Sequence, residues 1–149
     1  MTIEPSTSLF NELTNDLLPK FRSNNRVGFL ISGGFDSGLL LYASCLICKQ
    51  NDIIPNFVIL TVPRYDDSVV HSNRIVSWIN SSFDLSLHPM VVGNPDLHHS
   101  QQVLSGLQEA HKKNLADLFL LADTANPPTL PNGPIRNRSP ITCILPTLV

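Results

Sequence analysis

A run of small residues between two apolar segments is the part of this chain best suited to chemistry. It reads Ser-Gly-Gly-Phe-Asp-Ser-Gly over 32–38, after the apolar run 27–31 and before the apolar run 39–48. A loop of small residues between a strand and a helix lets several backbone N–H groups converge at the positive end of the helix dipole. Such a corner binds anions, and phosphate is its usual occupant.

Individual residues of this loop suit a phosphate for different reasons. Gly33 and Gly34 let a ligand approach the backbone, and they permit positive φ where the chain needs it. Ser32 and Ser37 add hydroxyl donors. A carboxylate beside a polyphosphate is unfavourable unless a cation lies between them, so we expect Asp36 to act as a magnesium-side or water-mediated ligand.

The order Ser-Gly-Gly-x-Asp-Ser resembles the PP-loop signature of the ATP pyrophosphatases (N-type, adenine-nucleotide alpha-hydrolase-like). That superfamily includes asparagine synthetase, GMP synthetase, NAD synthetase, argininosuccinate synthetase and 7-cyano-7-deazaguanine synthase. An ordinary glycine turn in an α/β domain is the alternative explanation. The sequence contains no G-x-x-x-x-G-K-[ST] and no G-x-G-x-x-G, which excludes a Walker-type loop and the dinucleotide-binding fingerprint.

The resemblance implies an ATP-dependent enzyme that works with Mg²⁺. Such an enzyme cleaves ATP to AMP and pyrophosphate, adenylates a carboxylate or carbonyl oxygen, and lets a nitrogen or sulfur nucleophile displace AMP. Within the superfamily the chain leans towards 7-cyano-7-deazaguanine synthase and asparagine synthetase, although no lysine follows Lys113 and the four-cysteine zinc site is absent. A non-catalytic ATP- or AMP-binding regulatory module and a reduced nucleotide hydrolase remain the alternatives.

Length and composition set the class of protein. A chain of 149 residues is most simply one domain. Ten basic and twelve acidic side chains leave a net charge of −2, which gives no electrostatic case for binding nucleic acid or an anionic membrane. We expect a cytoplasmic protein that acts on a small-molecule substrate as a homodimer or larger homo-oligomer. Cys45 and Cys48 are expected to be buried, reduced thiols.

Alternating strand and helix patterns predict a three-layer, doubly wound α/β domain with a mainly parallel sheet. We predict a first helix that is capped near Ser6 to Ser8, ends at Pro19 and packs on the domain as part of segment 1–25. The nucleotide-binding domain covers 26–126, and a proline-rich tail covers 127–149, with a short edge strand at 141–145. The elements predicted within the domain are strands 26–31, 55–62, 85–92 and 115–122, and helices 36–50, 66–82 and 100–114, the last capped by Ser100.

Ligands of open parallel sheets bind beyond the carboxyl ends of the strands. By resemblance, adenine and ribose lie against Leu30, Ile31, Thr61 and Val62, largely through their backbones. Asp123 directly follows an apolar strand and is predicted to bind ribose, Mg²⁺ or a substrate amine; a cap for the tail is the equal alternative.

Cations are needed to offset the charge of ATP and of the leaving pyrophosphate. Arg64 follows the second strand, and Arg136 and Arg138 belong to a tail without acidic residues. A guanidinium suits bidentate phosphate binding, whereas the alternative for each is a solvated surface residue. The predicted catalytic residues are Asp36, Ser37 and Arg64, and the predicted magnesium ligands are Asp36 and Asp123. The nucleotide-binding residues comprise Leu30, Ile31, Ser32, Gly33, Gly34, Phe35, Asp36, Ser37, Thr61, Val62, Asp123, Arg136 and Arg138.

Overall fold

The structure, a computed structural model, describes residues 7–23, 25–31, 35–63, 67–122 and 141–144. Helices and strands alternate along most of this length, as the sequence pattern predicts. In chain order the elements are α1 (Thr7–Arg22), β1 (Val27–Leu30), α2 (Phe35–Gln50), β2 (Phe57–Thr61), α3 (Ser68–Phe83), β3 (Pro89–Val91), α4 (His99–Lys112), β4 (Leu118–Ala122) and β5 (Ile141–Ile144).

The strands form one sheet in the order β3-β2-β1-β4-β5. The first four strands are parallel, and β5 pairs antiparallel with β4 at the edge. The chain builds outward from β1 through β2 to β3 and then returns to the other side of β1 as β4. The predicted doubly wound, three-layer α/β fold is confirmed, and strand order reverses between β1 and β4.

Alternation along the strands gives the sheet two separate cores, because successive side chains point to opposite faces. On one face, Val27, Phe29 and Ile31 pack with buried residues of α1, α2 and α3. On the other face, Phe119 and its neighbours pack against α4. The ring of Phe119 also lies against β1: a Cβ on Gly28 would be 2.7 Å from Phe119 Cδ1. A glycine is therefore required in β1 at this level.

The prediction that Pro19 ends the first helix is wrong. α1 continues to Arg22 with Pro19 inside it. Pro19 is exposed, whereas Leu17 and Phe21 on either side of it are buried in the core. Ser23 N donates to Pro19 O at 3.1 Å. Burial of Phe21 thus holds the turn that the missing N–H of proline would otherwise weaken.

The third strand is shorter than the predicted 85–92. The side chain of Asn80 donates to Leu87 O at 2.8 Å, and its Oδ1 accepts from Leu87 N at 2.8 Å. These two bonds tie the segment before β3 to the end of α3, so only Pro89–Val91 pairs with β2.

The predicted cap Ser100 is also wrong, since α4 begins at His99 and His98 occupies the N-cap position without a side-chain cap bond. The loop before α4 is held instead by the buried Gln102, whose Nε2 donates to Pro95 O at 3.3 Å and to Leu97 O at 2.8 Å. A side chain of the helix therefore holds the loop through its carbonyl groups, which differs from the N–H capping expected of Ser100.

The edge strand predicted at 141–145 is confirmed as β5, which pairs Ile141 with Ala122 and Ile144 with Phe119. Within the described ranges, no helix is long and apolar enough to cross a membrane.

Cys45 and Cys48 are buried, free thiols of α2, as predicted. Burial raises the pKa of the Cys45 thiol to about 12, with a smaller contribution from the nearby Cys48. Burial likewise raises the pKa of Cys48 to about 11. Both side chains therefore behave as small apolar residues of the core near neutral pH.

Candidate functional site

The reversal of strand order between β1 and β4 marks where an open α/β sheet of this kind binds ligands. Leu30 and Leu121 are paired in register, so the chain leaves β1 at Ile31 level with Ala122 of β4. β1 leads into α2, which packs on one face, whereas β3 leads into α4, which packs on the other face. The connections diverge at this edge, which is therefore the candidate site.

The amino end of α2 lies at this edge because the helix begins at Phe35, four residues after Ile31. Asp36 and Ser37 belong to its first turn; Asp36 is exposed, whereas Ser37 is buried. A Cβ on Gly38 would lie 3.1 Å from Ile75 Cγ2, so the first turn of α2 rests directly on α3. The positive end of the α2 dipole is thus fixed beside the strand ends, with a carboxylate accessible to solvent.

Ile31 is the last described residue before the glycine loop, and both of its backbone polar groups have partners within the protein. Its N–H donates to Leu60 O at 2.8 Å. Its carbonyl accepts a hydrogen bond from Ser72 Oγ at 2.9 Å. The end of β1 is therefore held from β2 on one side and from α3 on the other, and both backbone polar groups of Ile31 are already hydrogen-bonded within the protein.

Thr61, at the end of β2, belongs to the same buried polar cluster. Its Oγ1 lies 3.1 Å from Ser72 Oγ, and both side chains are fully buried. The single hydroxyl hydrogen of Ser72 goes to the Ile31 carbonyl, so in this second bond Thr61 donates and Ser72 accepts. The hydroxyl of Thr61 is consequently an internal link between β2 and α3.

Val62, the next residue, is fixed in a comparable way. Its side chain lies in the core beneath α4, where a Cβ on Gly106 would approach Val62 Cγ1 to 3.2 Å. Its carbonyl accepts from Ser68 Oγ at 3.4 Å. The ends of β1 and β2 that the sequence predicts to flank adenine are adjacent, yet many of their polar groups are already engaged within the protein.

The structure brings together the strand-end residues and the start of α2. It places Leu30, Ile31, Thr61 and Val62 on neighbouring strands, next to the helix that carries Asp36 and Ser37. Other predicted site residues lie outside the described residues: Ser32, Gly33, Gly34, Arg64, Asp123, Arg136 and Arg138, together with the side chain of Phe35.

Sequence reasoning missed Ser68 and Ser72. Two serines four residues apart in a helix share one face, and both are buried here. That spacing was the available signal, but serines in a polar-looking helix are ordinarily placed towards solvent. The strand ends they contact became identifiable only with the sheet order.

Metal-ligating side chains are sparse in the described part of the chain. No group of three or more His, Cys, Asp or Glu residues lies close enough there to hold a metal ion. His71 is exposed on α3. Of the two predicted magnesium ligands, Asp36 is the one that the structure describes. One protein carboxylate is compatible with the role, since a magnesium ion bound to phosphates usually takes only one or two.

No protein-family model matches this sequence, and no curated protein sequence matches it either. The case for a function therefore depends on the loop motif and on its place in the sheet.

Proposed function

We propose that this protein is an ATP-dependent PP-loop enzyme that cleaves ATP to AMP and pyrophosphate. An oxygen of a carboxylate or carbonyl substrate bonds to the α-phosphorus as the bond from that phosphorus to pyrophosphate breaks. A nitrogen or sulfur nucleophile then bonds to the activated carbon, and AMP leaves with the oxygen. The proposal includes a small-molecule substrate, a cytoplasmic location and a homodimer or larger homo-oligomer.

One observation carries the proposal. The Ser-Gly-Gly-x-Asp-Ser segment follows β1 at the place where strand order reverses, and α2 begins within that segment. An ordinary glycine turn elsewhere in an α/β domain would not combine this motif with the amino end of a helix and a reversal of strand order. The same three features together favour an anion with a nucleoside attached, because nucleotides bind where strand order reverses in such sheets, with their phosphates at the amino end of a helix.

Each part of the segment has a proposed role. The backbone N–H groups around Gly33 and Gly34, with Ser32 and Ser37, would hold the leaving pyrophosphate. Asp36 is exposed at the amino end of α2, a position open to a hydrated cation beside bound phosphates. Mg²⁺, when bound, offsets the negative charge that develops on pyrophosphate.

The remaining residues complete the proposal from the neighbouring connections. Asp123 comes one residue after Ala122, the end of β4 and level with Ile31 in the sheet. It is proposed as the second magnesium ligand. Arg64, Arg136 and Arg138 are proposed as the cations that face the phosphates, since arginine binds them bidentately.

Purified protein with Mg·ATP and a panel of small carboxylic acids and amines tests the proposal. We expect AMP and pyrophosphate to form in equal amounts, measured by chromatography and a coupled pyrophosphate assay. Asp36→Asn should lower turnover by about 100-fold or more, because it removes a charge that holds the cation. Asp52→Asn is the matched control, since Asp52 is exposed just past the other end of α2, with φ 54°, a conformation that asparagine tolerates.

The outcomes separate the proposed enzyme from a binding module. Binding of Mg·ATP by calorimetry without AMP formation would replace the enzyme by a nucleotide-binding regulator. Release of AMP and pyrophosphate without any acceptor would indicate a nucleotide hydrolase. Absence of both binding and turnover would refute the nucleotide site itself.

A further inference from the structure

Two buried serines of α3 contact the ends of neighbouring strands. Ser68 and Ser72 are four residues apart, and both are shielded from water. Ser68 Oγ donates to Val62 O beyond β2 at 3.4 Å, whereas Ser72 Oγ donates to Ile31 O beyond β1 at 2.9 Å. The two side chains are chemically identical, but only Ser72 holds the strand that leads into the glycine loop.

The carbonyl of Ile31 matters for the loop because of peptide geometry. A trans peptide is planar, so its C=O and the N–H that follows point in opposite directions. Ile31 is the last described residue before the predicted phosphate loop, so a hydrogen bond that holds its carbonyl also holds the peptide plane from which that loop begins. Ser72 would thus act on the start of the loop without any contact with the ligand.

Thr61 fixes Ser72 in turn. Its hydroxyl donates to Ser72 Oγ at 3.1 Å, so the hydroxyl hydrogen of Ser72 is left to point at Ile31. All three groups are buried, where a hydrogen bond that loses one partner is costly because water does not replace it. The chain of bonds runs from β2 through α3 to the end of β1.

We propose that Ser72 is a positioning residue of the nucleotide site, kept in orientation by the Thr61 hydroxyl. This inference rests on the proposed function and adds to it the element that sets the start of the phosphate loop. It gives the first turns of α3 a role in ligand binding, in addition to the roles of the loop motif and the strand ends.

The test compares Ser72→Ala with Ser68→Ala, its matched control on the same helix face. For each variant the Kd for Mg·ATP is measured by calorimetry, and the unfolding midpoint is measured in urea. We expect Ser72→Ala to raise the Kd about tenfold, in line with loss of one buried hydrogen bond, and Ser68→Ala to raise it less than about threefold. Ser72→Ala should also lower the unfolding midpoint more than Ser68→Ala does, because it removes two shorter hydrogen bonds.

A second pair of variants tests the inference even if Ser72→Ala does not fold. Thr61→Val keeps the side-chain shape and removes the hydroxyl, so it should raise the Kd in the same direction as Ser72→Ala. Thr61→Ser restores the hydroxyl and should restore binding. If the role of Thr61 were purely structural, Thr61→Val would lower the unfolding midpoint and leave the Kd unchanged.

Two results would overturn the inference, and they are distinct. If wild-type protein binds Mg·ATP and Ser72→Ala changes the Kd no more than Ser68→Ala does, the positioning role is wrong while the proposed function stands. If wild-type protein binds no Mg·ATP, the proposed function fails and the positioning role fails with it.

Discussion

Three strand-to-helix connections leave the carboxyl edge of the sheet, and two of them differ in sequence: the first runs from β1 to α2 and the second from β3 to α4. In the second connection the backbone donors are used by nearby side chains. Asn94 N donates to Ser105 Oγ at 2.8 Å, and Asp96 N donates to Asn94 Oδ1 at 3.0 Å. Gly93 N makes a longer bond of 3.4 Å to Glu109 Oε1. A loop that satisfies its own N–H groups keeps few for a ligand.

The first connection has a different sequence. Two of its three residues between Ile31 and α2 are Gly33 and Gly34, which have no side chain to accept a neighbouring N–H. Under the proposed function, glycines serve different purposes at the same edge of the sheet. Gly93 has φ +96°, and a Cβ there would lie 2.8 Å from Gln102 O, so its glycine is required by the fold. Gly34 is proposed to be required by the ligand.

Gly34→Val is expected to have the largest effect on binding. It tests directly whether the two connections differ in ligand binding. A branched side chain would occupy the space proposed for phosphate, so the Kd for Mg·ATP should rise by about 100-fold, or ~2.7 kcal/mol. Calorimetry measures the Kd, and urea unfolding checks that the variant is folded. An unchanged Kd would remove the distinction between the two connections.

Gly93→Ala should have the opposite profile. The residue would be held at positive φ against a backbone oxygen, which we expect to lower the free energy of unfolding by about 2–3 kcal/mol. Urea denaturation measures this loss. In the fraction that stays folded at low temperature, the Kd for Mg·ATP should stay within about threefold of wild type, or ~0.6 kcal/mol. Loss of binding at unchanged stability would show that the β3–α4 connection also serves the ligand.

The smallest expected effect lies at the other edge of the sheet, where β1 and β4 begin. Asp117 Oδ2 accepts from Arg26 N at 2.7 Å, and its Oδ1 lies 3.3 Å from Arg26 Nη2. The backbone hydrogen bond from Arg26, followed by the side-chain bond, holds the pKa of the Asp117 carboxyl below its usual value. A carboxyl with a lowered folded-state pKa stabilises the fold above its unfolded pKa, and this contribution is lost as pH falls through the folded-state pKa.

Asp117→Asn should therefore lower the free energy of unfolding at pH 7 by only about 0.5 kcal/mol, since the pair is well exposed to solvent. The difference from wild type should vanish in acid, which urea denaturation at several pH values measures. The Kd for Mg·ATP should not change. A large change in the Kd would mean that the two edges of the sheet are coupled.

Local sequence patterns determined much of this molecule. The alternation of apolar runs gave the order of strands and helices, because a strand repeats every two residues and a helix every 3.6. The small residues at 32–34 marked the connection after β1, and the proline-rich tail did not hide the edge strand β5. Each of these signals lies within a few neighbouring residues, so each was readable before any contact between distant segments was known.

Tertiary structure decided the features that depend on distant partners. Pro19 stays within α1 because Phe21 is buried beyond it, and the segment before β3 is drawn away from the sheet by Asn80. Ser72 and Ile31 are 41 residues apart, and their hydrogen bond exists only because β1 and β2 became neighbours beneath α3. Burial of apolar side chains determines which strands become neighbours. The hydrogen bond between Ser72 and Ile31 follows from that arrangement, so local sequence spacing does not predict it.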